Sequence, residues 1–143
     1  MSWSNRFIGL PWQEFGRGRS GADCWGLACV IYQEELGISL PDYLGYGSAE
    51  ELGEISALVD GALNSPLWLP TEGPAIAFDI AVFRRGRLSS HIGIVVRHGL
   101  MIHMEGEDAA KLADYTSGAW KHRLTGHYRH FERPVQIVSE AAR

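Results

Sequence analysis

Apolar positions recur at helical spacing early in the chain and at strand spacing later. Leu27, Val30, Ile31 and Tyr32 fall on one face of a segment running from Trp25 to Leu36. Asp23 reads as its N-cap and Gly37 as its C-terminal stop. Leu52, Ile55, Leu58 and Val59 predict a second helix over 49–63, capped by Ser48. The texture then changes. Strands are predicted over 76–83, 91–96, 100–104, 128–131 and 135–138, with turns at 84–87 and 97–99. Residues 7–21 and 64–74 read as loops, Ser39–Pro41 as extended, and the tail from 139 as frayed. Helices first and a strand meander after them predict an α+β domain, its N-terminal helices packed on an antiparallel sheet.

A length of 143 residues with 45% hydrophobic content predicts one domain over 1–143. Thirteen basic against 17 acidic residues give a net charge of −4. This excludes general nucleic-acid binding, which needs a concentrated basic face. No run approaches the ~18 apolar residues of a membrane span. The start, Met1 to Arg6, lacks the charged and apolar regions of a secretory signal, so synthesis in the cytoplasm is expected. The arginines are clustered. Arg17 and Arg19 precede Cys24, and Arg84, Arg85 and Arg87 precede His91. They read either as two solvated loops or as an electropositive rim for a carboxylate-bearing substrate.

Cys24 and Cys29, five positions apart on one helix, point to different faces, which disfavours a disulfide. Cys29, within Leu27-Ala28-Cys29-Val30-Ile31, reads as a small buried apolar residue. Cys24 is different, because it opens the helix. His91 starts one predicted strand and His103 ends the next, 12 positions later. A helix N-terminus and a neighbouring imidazolium both favour the thiolate, the form of cysteine that attacks a carbonyl. His91 is placed to exchange the proton, and His103 to hold its other ring nitrogen and fix the tautomer. By alternation, Ile92 and Ile94 turn away from His91 and pack elsewhere. A cysteine in an apolar helix is by itself most often a core residue. His98, His122, His127 and His130 also supply other histidines, so the weight rests on the combination.

That combination resembles a known family. Pro11-Trp12, Gly16-Arg17-Gly18 and Asp23-Cys24-Trp25-Gly26-Leu27 look like the N-terminal block of the NlpC/P60 cysteine peptidases. The 12 positions from Trp12 to Cys24 match the family spacing. Ala77-Phe78-Asp79-Ile80-Ala81-Val82-Phe83, Ser90-His91-Ile92-Gly93-Ile94 and Met101-Ile102-His103 resemble its later blocks, in its order. The Asp-Cys-Trp-Gly-Leu form and Gly126-His127-Tyr128-Arg129 look like the branch found in tail modules of phages, prophages and gene transfer agents.

The resemblance implies a papain-like fold and a Cys24, His91 and His103 triad, with no cofactor and no metal. It implies hydrolysis of peptidoglycan stem peptides, at the bond between D-γ-glutamyl and a diamino acid, through a Cys24 thioester. The backbone N–H of Cys24 and a group near Trp12 would hold the oxyanion. Asp23, Trp25, Arg17 and Arg19 are the further candidates for contact with substrate. The expected partners are the stem peptide and tail hub or tip proteins, and the expected location is the tail of a virion or virus-like particle. The chain departs from the family pattern at four places: Trp12 for tyrosine, Arg17 within the glycine pair, Trp25 for serine and Phe78 for glycine. Competing readings are a structural tail protein that keeps the fold with little activity, a metal site built on Cys24, His91 and His103, and a thioester enzyme for another acyl substrate. Zinc sites more often show closely paired ligands such as Cys-x-x-Cys, which this chain lacks.

Overall fold

The computed structural model describes residues 2–41, 67–85, 88–105 and 107–132. The predicted helix over 49–63, the predicted strand over 135–138 and the tail from 139 lie outside them. A 3-10 turn, Trp3–Arg6, leads to a two-stranded ribbon of β1 (Arg17–Gly18) and β2 (Gly21–Ala22). Helix α1 (Cys24–Ile31) continues into a π-helical turn, Tyr32–Leu36. Gly37 ends it at φ 67°, a left-handed cap that glycine adopts without steric cost.

Six strands follow: β3 (Trp68–Thr71), β4 (Ile80–Arg85), β5 (Leu88–Arg97), β6 (Leu100–His103), β7 (Lys111–Asp114) and β8 (Leu124–His130). Helix α2 (Gly118–Arg123) comes just before β8. The strands form one antiparallel sheet in the order β3-β8-β4-β5-β6-β7. This is the expected α+β arrangement, with the helical N-terminal part laid on an antiparallel sheet.

Four elements correct the sequence expectations. Residues 68–71 form a strand where a loop was predicted. Pro70 is tolerated there because β3 is an edge strand, which leaves its missing donor without consequence. The strand predicted from 76 begins only at Ile80, because Ala77 and Phe78 form a turn. Strand β7 and helix α2 went unpredicted, being short and only partly buried.

Alternation divides the sheet into two faces. Register pairs Ile80 with Ile94 and Val82 with Ile92, and these side chains join Leu27, Ala28 and Ile31 of α1 in one core. Ala81, Phe83, Val95 and Met101 occupy the other face with Tyr115. His91 pairs with Phe83 and so belongs to this second face, turned away from Ile92 and Ile94 as the alternation predicts.

Candidate active site

Backbone hydrogen bonds pin the loop before α1 to the helix start. Gln13 N–H donates to the Ala22 carbonyl at 3.0 Å, and Ala22 N–H donates to the Pro11 carbonyl at 3.0 Å. Trp12 forms an isolated parallel bridge with Ala22. A side chain at Gly26 would overlap the Gly16 carbonyl oxygen, so loop and helix meet only because residue 26 is glycine. Gly26→Ala must push them apart. It is expected to lower stability by about 1–3 kcal/mol, the usual cost of overpacking. Chemical denaturation of the two proteins measures this.

Asp23 caps α1 as predicted, its carboxylate accepting from Gly26 N–H at 2.8 Å. The same oxygen accepts from Arg17 at 2.7 Å. Cys24 follows as the first residue of the helix and is half-buried. Its sulfur receives the backbone N–H of Ile92, the residue next to His91. Cysteine and histidine are thus joined through one peptide unit of β5.

His91 Nε2 and His103 Nδ1 are 2.8 Å apart, on adjacent strands. Both side chains are buried, at 3% and 1% exposure. With Nε2 engaged by His103, the nitrogen of His91 left to serve a thiol is Nδ1. Trp120 of α2 stacks on His91 at 4.9 Å and 25°, and stands edgewise to His103 at 5.0 Å. Phe83 completes the enclosure, 6.0 Å from His91 and 5.2 Å from Trp120. Sequence reasoning missed Trp120. Its segment is too short to show periodicity, and nothing local reveals which ring lies beneath it.

The electrostatics correct one expectation. Burial pushes the Cys24 thiol up to about 11, and the Asp23 carboxylate adds to this. The N–H groups of Ile92 and Trp25, and the Arg17 guanidinium, pull it back only in part. The helix start does stabilise the thiolate, but removal from water outweighs it. At rest the cysteine is therefore a thiol. Burial lowers His103 to about 4, the Glu105 carboxylate partly opposing it and the Lys111 ammonium adding to it, so His103 is neutral at pH 7.

The remaining candidates are placed as follows. Trp25 is buried in the core, donates its indole N–H to the Pro41 carbonyl at 2.9 Å and meets Trp68 edgewise. Arg17 lies largely buried against Asp23. Arg19 binds Glu34, the Arg6 carbonyl and the face of Phe7. Arg84 donates to the His122 carbonyl. Arg87 and the Arg85 side chain fall outside the described residues. The arginines of the N-terminal cluster are thus tied into ion pairs of the scaffold. Trp12 is half-buried beside the main core. Cys29 is half-buried rather than fully buried, its sulfur 3.8 Å from the Pro41 carbonyl, and neither cysteine is in a disulfide. Among the described residues, no group of three or more His, Cys, Asp or Glu side chains could hold a metal ion. No helix among them is long and apolar enough to cross a membrane.

A cysteine at a helix start, tied to a strand whose histidine is held by a second histidine, can carry out acyl transfer. The model of the NlpC/P60 family matches residues 9–129, most of the chain and every residue of this cluster. The chain belongs to the NlpC/P60 family. Solved NlpC/P60 structures share its fold. The NlpC/p60 domain of the peptidoglycan hydrolase SagA is 16% identical, with a TM-score of 0.59 over 88% of this chain and 92% of that one. A lipoprotein-like NLP/P60 protein from Staphylococcus aureus subsp. aureus Mu50 is 22% identical, with a TM-score of 0.60 over 89% of this chain and 38% of its own. An NlpC/P60 protein from Bacillus cereus ATCC 10987 is 21% identical, with a TM-score of 0.62 over 89% of this chain and 37% of its own. This chain thus spans little more than a third of each of the last two. No curated protein matches the sequence.

NlpC/P60 membership also gives meaning to one departure from the family pattern and to one run that resembles it. Phe78, where the family has glycine, holds φ 73°. That left-handed conformation is costly for a residue with a Cβ. Its neighbours hold it there: Trp3 stacks on its ring at 4.4 Å, its N–H donates to the Val95 carbonyl at 2.8 Å, and its carbonyl accepts from the Tyr32 hydroxyl. The Gly126-His127-Tyr128-Arg129 run lies on β8, where His127 meets the Tyr115 hydroxyl at 2.9 Å and Arg129 binds Asp79.

Proposed function

We propose that this chain is a cysteine peptidase that hydrolyses peptidoglycan stem peptides through a thioester on Cys24. The observation that carries the reading is the 2.8 Å hydrogen bond between His91 and His103, with a cysteine that opens a helix and takes the N–H of Ile92, the residue next to His91. Family membership supports the class of reaction. One relative of the same fold is described as a peptidoglycan hydrolase.

In this reading Cys24 Sγ attacks the peptide carbonyl while its proton passes to His91 Nδ1. His91 Nε2–H donates to His103 Nδ1, which fixes the tautomer that leaves Nδ1 able to accept. The oxyanion is met by the Cys24 backbone N–H and a group near Trp12. The C–N bond then breaks, and His91 returns its proton to the leaving amine. Water, deprotonated by the same imidazole, hydrolyses the thioester and regenerates the thiol. The resting thiol suits this concerted transfer, because proton and sulfur move together.

The bond assigned is the one between D-γ-glutamyl and a diamino acid. The setting assigned is a phage-type tail that opens the wall locally during DNA delivery. Both rest on motif resemblance, the tail setting on Asp23-Cys24-Trp25-Gly26-Leu27 and Gly126-His127-Tyr128-Arg129. Mass spectrometry of purified particles checks the setting, and absence of the chain from their tails rejects it.

Digestion of purified peptidoglycan by the wild type and by Cys24→Ala tests the reaction. Mass spectrometry of the fragments is expected to show a cut stem-peptide bond. Cys24→Ala is expected to be at least about 10³-fold slower, as for loss of a nucleophile elsewhere. Absence of cleavage by the wild type, with Cys24 inert to iodoacetamide, would favour the structural tail protein instead.

A further inference from the structure

We propose that Trp120 is a positioning residue for the histidine pair: it roofs the His91–His103 hydrogen bond and favours the protonated form of His91. The inference rests on the reading of Cys24 and His91 as nucleophile and base, and extends it to a residue outside the triad.

The geometry argues it in two steps. Trp120 touches both partners of one hydrogen bond in complementary ways. It lies nearly parallel to His91, 25° between planes, and nearly perpendicular to His103, at 89°. A parallel indole restrains rotation of the His91 ring about χ2, the motion that would swing Nε2 off His103. The perpendicular contact restrains His103 in the same way. His103 Nε2 is buried and has no hydrogen-bond partner among the described residues. Beyond its bond to His91, the aromatic enclosure therefore holds that ring.

The second step is electronic. A cation over an indole face is favoured by the ring quadrupole. Transfer of the Cys24 proton makes His91 such a cation, so the stack strengthens as the sulfur becomes nucleophilic. Other groups around the pair come from several elements. Cys24 of α1 reaches β5 through the N–H of Ile92, the residue next to His91, and the Asp23 carboxylate acts on Cys24. Phe83 on β4 is apolar. Glu105 and Lys111 act on His103. The Arg123 guanidinium lies 5.4 Å from the Trp120 ring and draws on the same π-system. Helix α2 is six residues long and buries none of its side chains fully, and it holds Trp120 partly buried against His91, His103 and Phe83.

The test compares wild type, Trp120→Ala and Trp120→Phe as full chains. It reads peptidoglycan turnover and, by mass spectrometry of the Cys24 peptide, iodoacetamide alkylation against pH. Trp120→Ala is expected to lower kcat and Cys24 alkylation at neutral pH by about 10- to 100-fold, the scale of a misplaced catalytic group, with KM within about twofold. Trp120→Phe, which keeps a stacking face, is expected to recover most of both. Equal behaviour of the Ala and Phe variants, or no change in either, overturns the proposal. In the wild type alone, the NMR signal of the His91 Nε2 proton is expected to be slow in exchange with water. Fast exchange would show that the bond is not roofed. Alkylation that responds to Trp120 in a protein that leaves peptidoglycan intact keeps the roof and rejects the substrate. Hydrolysis indifferent to Trp120 does the reverse.

Discussion

Replacing Asp79 by alanine is expected to lower stability by about 3–5 kcal/mol, the scale measured when one partner of a buried ion pair is removed. Asp79 is 1% exposed. Its two carboxylate oxygens accept from Arg129 Nε and Nη2 at 2.8 and 2.9 Å, a bidentate pair. A third donor, Ile76 N–H at 3.0 Å, ties the turn that precedes β4 to the same carboxylate. The pair therefore clamps β8 to the entry of β4 and closes the turn in which Phe78 holds its left-handed backbone. Without Asp79, the Arg129 side chain, 22% exposed, is left largely out of water without its anion. Thermal unfolding should shift down by about 10 °C or more. Arg129→Ala should cost as much, because it strands a carboxylate that is almost fully buried. The double variant should cost less than the sum, since each single change leaves one unpaired charge and the double leaves none. Additivity in that cycle would show that the two groups do not act as a unit.

How much of this was legible in the sequence depends on which interaction fixes each element. Asp23 as cap, Gly37 as stop and the strands around His91 and Met101 follow from local rules of spacing and backbone preference, and the structure keeps them. Strand β3 was not legible, because three prolines at 66, 70 and 74 speak locally for a loop. Only the edge position in the sheet makes Pro70 acceptable. The pairing of His91 with His103 was expected from their strand positions, since both begin or end runs that must lie side by side. Trp120 was not, because its partners come from β4, β5 and β6 and no local signal links them. The high value of the Cys24 thiol was missed for the same reason. A helix start is visible in sequence, but the burial that outweighs it is a property of the assembled core and the Asp23 charge beside it. The arginines before Cys24 likewise read either as solvated loops or as a rim, because spacing does not show the Asp23 and Glu34 carboxylates that hold Arg17 and Arg19.

His91→Ala is expected to lower hydrolysis by about 10³- to 10⁴-fold at pH 7, the upper part of the range for a lost acid–base group. Burial holds the Cys24 thiol at about 11. At pH 7 such a group is thiolate in only about one molecule in ten thousand. Spontaneous ionisation supplies little nucleophile, so in the proposed mechanism nearly all wild-type turnover passes through proton transfer to His91. The variant keeps only the spontaneous route, and that route has a signature. Below its pKa the thiolate fraction rises tenfold for each pH unit. Residual activity of His91→Ala, and alkylation of its Cys24, should therefore climb with unit slope from pH 7 towards about 11. In the wild type, where the proposed transfer to His91 supplies the nucleophile, the alkaline limb should be nearly flat. The two curves converge at high pH, where sulfur no longer needs a base. A pH-independent deficit in His91→Ala would mean that the imidazole shapes the site without moving the proton. A wild-type curve with the same unit slope would mean that His91 does not serve Cys24 at all.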